Sequence, residues 1–165
     1  MKKKNKASNR WRFFSGALTR RAISCLTKDL IKEYNKSAKI GDKKMFIKDI
    51  KNCEEIVAGD ETTLKEILHP LKDELKIRYS IAHAVVKPGK KTLWHRMKAS
   101  EVYYILQGNG LMHIDDETKE VESGHVIYIP PNSKQRISNT GNQDLIFLCI
   151  ADPAWRKEDE EILEK

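Results

Sequence analysis

The sequence predicts an all-β protein: an antiparallel jelly-roll barrel over residues 45–165, preceded by a basic, partly helical extension over residues 1–44 and ended by a short C-terminal helix. Three observations predict it. Short strand signals recur between turn signals with no helical period between them, which argues for an antiparallel sheet rather than βαβ units. Several strands are apolar on both faces and must be covered twice. Charge and pattern change together at Met45.

The formal charge of +7 conceals that change. Residues 1–44 hold 14 Lys and Arg against Asp29, Glu33 and Asp42, a net of +11, so residues 45–165 carry 17 minus 21, or −4. Within the extension Leu18, Ala22, Leu26, Leu30 and Tyr34 recur every four residues, with Ile23 and Ile31 alongside. That period predicts a basic amphipathic helix. Such a helix can lie on an anionic membrane surface or against nucleic-acid phosphates, but no recognition motif accompanies it. The blander expectation is a solvated or domain-packing extension that is dispensable for folding.

From Met45 the elements follow in order. Phe46 to Ile50 and Glu55 to Ala58 predict brief strands, Gly59-Asp60 a turn, and Thr63 to Leu68 a strand or one helical turn stopped by His69-Pro70. Leu75 to Val86 predicts a long strand, with Ile77, Tyr79, Ile81 and His83 on one face and Ala82, Ala84 and Val86 on the other. Parity alone does not say which face is inward. Glu101, Tyr103 and Ile105 alternate with Val102, Tyr104 and Leu106, and Leu145 to Ile150 has no polar face. A homodimer is the economical cover for such strands. Gly108-Asn109-Gly110, Asp115-Asp116 and Gly141-Asn142 mark turns, and Asp152-Pro153 breaks the last strand. The acidic stretch from Trp155 to Lys165 predicts the C-terminal helix.

Chemistry concentrates between Gly89 and Asn139. Alternation puts His95 and Met97 on one face, joined by Glu101 if the extended run resumes after a short turn. Gly89, His95, Glu101 and Gly108, followed by Gly124, Pro130 and Asn139, resemble the two sequence motifs of the cupin family at the family's spacing. Met97 and Gln135 stand where that family places two further histidines, and Asn132 replaces a glycine. The resemblance implies a small jelly-roll barrel, or double-stranded β-helix, enclosing one cavity. It also implies a divalent ion (manganese, iron, nickel or zinc) on His95, Glu101 and Gln135.

With a thioether and a neutral amide replacing two imidazoles, that ion would be held weakly and without a clear preference. Met97 is expected as core filling rather than a ligand. Met97, Tyr103, Gln135, Ile137, Phe147 and Cys149 have the parity to contact a ligand in the cavity, and a buried Cys149 would be inert. Two functions follow. One is a binding module for a small polar or carbohydrate-like molecule. The other is a metal-dependent enzyme, an oxygenase or sugar-isomerase-like protein of the cupin kind.

Cys25, Cys53 and Cys149 form no spaced pair, which points to a reducing, cytoplasmic setting without a disulfide framework or structural zinc. No apolar run approaches the roughly 20 residues needed to cross a bilayer. A secretory signal is not expected, because the apolar piece from Phe13 to Leu18 is short and runs into Arg20 and Arg21.

Overall fold

Alternation along each strand sends one set of side chains into the space between two facing antiparallel sheets. The structure, a computed structural model, describes residues 45–164, and the expected basic helix in residues 1–44 lies outside them. One sheet runs, in spatial order, β1 (Glu55–Val57), β2 (Thr63–Leu68), β3 (Ser80–Val86), β10 (Leu145–Asp152), β5 (Ser100–Gln107) and β8 (Val126–Ile129). The other runs β11 (Glu160–Ile162), β4 (His95–Met97), β9 (Gln135–Asn139), β6 (Asn109–Ile114) and β7 (Glu117–Glu122). The neighbours are mostly not consecutive in sequence, as a jelly roll requires.

The core forms where the two inner faces meet. Ala84, Val86, Tyr103, Ile105, Leu145 and Phe147 enter it from the first sheet, and Met112, Val121 and Ile137 from the second. Tyr103 and Phe147 stack at a tilt, with ring centroids 4.6 Å apart. The outer face of the first sheet is also apolar: Ile150, Val102 and Tyr128 lie side by side across β10, β5 and β8, and Leu148, Tyr104 and Val126 form the next row. Val126 and Tyr128 remain 66% and 60% exposed, so the second cover inferred from the sequence is not supplied by the described residues.

Turn chemistry holds the strands in register. Gly108 has φ +88°, and a Cβ there would lie 2.7 Å from the carbonyl oxygen of Asp144. Only glycine tolerates both the left-handed backbone and that approach. Asn139 closes the neighbouring corner, its Nδ2 donating to the carbonyls of Val86 (2.8 Å) and Gln143 (2.7 Å) while its Oδ1 accepts from Gly141 N–H (2.9 Å).

Three local expectations are corrected. The long strand begins at Ser80 rather than Leu75, and Phe46 to Asp49 makes no strand, with a 3-10 turn following at Ile50–Asn52. The expected C-terminal helix is reduced to a 3-10 turn at Lys157–Asp159, after which the chain becomes β11. The physical reason is the edge of β4, whose unpaired backbone groups need a partner. β11 provides it, pairing Glu160 with Met97 and Ile162 with His95.

Candidate functional site

β4 and β9 meet at a single registered pair, His95 with Gln135. Cross-strand partners share a face, so both side chains turn inward, and Met97 follows two residues later on the same face. Glu101 reaches them from the opposite sheet, on β5, rather than from a continuation of the same strand face. His95, Met97, Glu101 and Gln135 are all at most 5% exposed.

The carboxylate of Glu101 is held by two protein donors. Its Oε2 accepts a hydrogen bond from Gln135 Nε2, and its Oε1 accepts from the Cys149 thiol at 3.1 Å. Burial pushes the Glu101 carboxyl above the ordinary carboxylate range, against the pull of His95, Cys149 and Gln135. Burial likewise drives Cys149 well above the usual thiol value, with the Glu101 charge adding to it, so the thiol stays protonated and unreactive.

His95 Nδ1 lies 2.9 Å from the Leu93 carbonyl, to which it can only donate. That contact leaves Nε2 as the nitrogen available to the cavity. Asp60 Oδ2 stands 3.7 Å from the same Nδ1, and the carboxylate is fixed by Thr62, whose backbone N–H donates to Oδ1 at 3.0 Å and whose hydroxyl donates to Oδ2 at 2.7 Å.

A cavity of about 420 Å³ opens beside these groups. Of the residues expected to contact a ligand, Met97, Tyr103, Phe147 and Cys149 line it, as do His95 and Glu101. Gln135 and Ile137 do not: Gln135 sits behind Glu101, and Ile137 is 1% exposed in the core. The structure adds residues that the sequence reading passed over: Asp60, from a segment read only as a turn, and Trp155, Lys157 and Glu160, from the C-terminal segment. Burial and the nearby Asp60 charge raise the Glu160 carboxyl, while His95 and a hydrogen bond with Trp155 act against them. His83 points away from the cavity, because the inward face of β3 is taken by Ala84 and Val86.

The ligand set implied for a resident divalent ion is incomplete at these four positions. Among His95, Met97, Glu101 and Gln135 the available donors are one imidazole nitrogen and a carboxylate whose two oxygens already accept from Gln135 and Cys149. Gln135 presents its N–H to that carboxylate, and its buried Oε1 has no partner. Among the described residues no three His, Cys, Asp or Glu side chains gather as a metal site. No helix of the described residues is long and apolar enough to cross a membrane.

The family profile described as the Cupin domain matches residues 82–151. An uncharacterized protein of Methanocaldococcus jannaschii is 44% identical over 109 residues, covering 66% of this chain and 86% of its own. A glucose-6-phosphate isomerase of Pyrococcus abyssi is 30% identical over 126 residues, covering 68% of this chain and 67% of its own. Among solved structures, the polyketide cyclase RemF of Streptomyces resistomycificus superposes with a TM-score of 0.63 at 20% identity, over 74% of this chain and 87% of that one. That last likeness concerns the fold alone.

Proposed function

The chain belongs to the cupin family, and from that premise we propose that it binds a small polar, carbohydrate-like ligand in the cavity between its sheets. The observation that carries this reading is the lining itself. Aromatic and apolar walls from Tyr103, Phe147, Trp155 and Met97 surround a few convergent polar groups, His95, Glu101, Asp60 and Glu160. Small-molecule sites are built this way, with apolar area for affinity and a few fixed polar atoms for orientation. The likeness to a sugar-phosphate isomerase supports a hydroxylated ligand. The incomplete donor set supports recognition without a resident ion; the alternative is a metal-dependent enzyme in which His95 and Glu101 hold the ion.

Calorimetry and thermal shift with a panel of aldoses, ketoses and their phosphates, each with and without a chelator, separate the two. Saturable binding that survives the chelator, in protein with less than stoichiometric metal by elemental analysis, is the expected result. Binding that appears only with a stoichiometric ion supports the enzyme, and no binding anywhere in the panel removes the ligand reading.

The exposed apolar rows on β10, β5 and β8 support a homodimer through that face, in a soluble cytoplasmic protein. Light scattering that gives a monomer mass at micromolar concentration would contradict the dimer.

A further inference from the structure

We propose that the cavity is selective for a polyhydroxylated ligand carrying an amine, and that Glu160 sets this preference. The inference rests on the ligand-binding reading above and deepens it.

Four carboxylates line the cavity; Glu66 is paired with a lysine, and the other three reach it from three separate places: Asp60 from the segment before β2, Glu101 from β5 and Glu160 from β11. The basic group facing them from within is the His95 imidazole alone among the described residues. The two lysines that line the cavity are exposed, and Lys72 is engaged by Glu66 at 2.9 Å. An anionic ligand would therefore enter a space lined by like charge, beside low-dielectric walls that screen it less than bulk water does. An ammonium group brings a positive charge and three donors to carboxylates that have none to give.

A second observation is independent of the acidic groups. Tyr103 is 5% exposed and lines the cavity, and none of the hydrogen bonds among the described residues engages its hydroxyl. His95 is 4% exposed and only its Nδ1 is engaged. A hydroxyl and a ring nitrogen that open toward a cavity from otherwise buried side chains are places for a ligand's own hydroxyls.

Glu160 is the residue to change. It sits half-buried on a short edge strand, so its charge can be removed without opening the core. The test uses the full chain and three probes with one carbon skeleton: sorbitol (neutral), glucamine (its amine counterpart) and gluconate (its carboxylate counterpart). By calorimetry near neutral pH, glucamine is expected to bind about tenfold more tightly than sorbitol, and gluconate more weakly than either. Glu160→Gln, confirmed as folded by its melt, should narrow the glucamine-to-sorbitol ratio to about threefold or less.

Sorbitol or gluconate binding as tightly as glucamine overturns the inference while leaving the ligand-binding reading in place. Failure of all three probes beside a neutral sugar that binds does the same. An undiminished ratio in Glu160→Gln overturns the role given to Glu160. Failure of these probes and of the whole sugar panel removes both readings together.

Discussion

Replacing Gln135 by methionine tests whether the amide is there to hold the Glu101 charge. The substitution keeps chain length and burial but deletes the donor on Glu101 Oε2. A hydrogen bond to a charged group contributes about 1.5–3 kcal/mol, and losing it is offset by relief of the unpartnered Gln135 Oε1, whose burial costs on the order of 1 kcal/mol. The expected net loss is about 1–2 kcal/mol where Glu101 is ionised, and close to zero where it is protonated in both the folded and unfolded chain.

The direction with pH follows from linkage. The folded Glu101 carboxyl lies above its ordinary value of 4.5, with burial the leading cause, so its stabilising contribution is fully present below 4.5 and is lost as pH rises through the folded value. Gln135 is one of the groups holding that value down, so Gln135→Met raises it further and steepens the loss. Urea unfolding followed by tryptophan fluorescence, at pH about 4 and about 8, reads the difference directly. A deficit equal at both pH values, or larger at the acidic one, would refute the claim that Gln135 stabilises the ionised carboxylate.

Gly108→Ala is expected to cost at least about 2 kcal/mol, since left-handed strain of about 1–2 kcal/mol is joined by a collision with the Asp144 backbone. Gly124→Ala is its control, with φ +91° and nothing within 4 Å, and should show the strain alone. Denaturant midpoints compare the two, and equal losses would mean the close approach at Gly108 is unimportant. Met97→His with Gln135→His places two further imidazoles beside His95 and Glu101, and should tighten nickel and zinc binding in a pH-dependent way by calorimetry. Unchanged binding in a folded double variant would show that the four positions do not converge on one ion.

The barrel was legible because its signals are local. Glycines of the two motif segments, Gly89, Gly108 and Gly124, all adopt positive φ, so each marks a turn the chain cannot make cheaply with another residue. Alternation then fixed the faces of β5 and β10, where Tyr103, Ile105, Phe147 and Cys149 share one parity. Alternation could not orient β3, since Ile81 and His83 are as plausible inside as Ala84 and Val86 until the opposite sheet is known. Nor could it find Asp60 or Glu160. Asp60 lies in a turn, which has no period to read, and Glu160 belongs to an acidic stretch whose strand character comes from the open edge of β4.

What stands at the two departed histidine positions changes the problem that Glu101 poses to the fold. A carboxylate buried to 5% exposure needs compensation, and a divalent ion would supply it with two positive charges. Here the direct partners are a neutral amide and a neutral thiol, with the His95 imidazole nearby. Dipoles and thiol hydrogen bonds return less than full charges do, and the desolvation that raises Glu101 prevails over them. The group is therefore left able to take a proton or a ligand's cation. Asp60 and Glu160 add to the demand, because each like charge brought to the same low-dielectric space makes a positive guest more favourable and a negative one less so. The same substitutions that weaken the ligand set for an ion thus leave a cavity whose unmet electrostatics can be met by what binds in it.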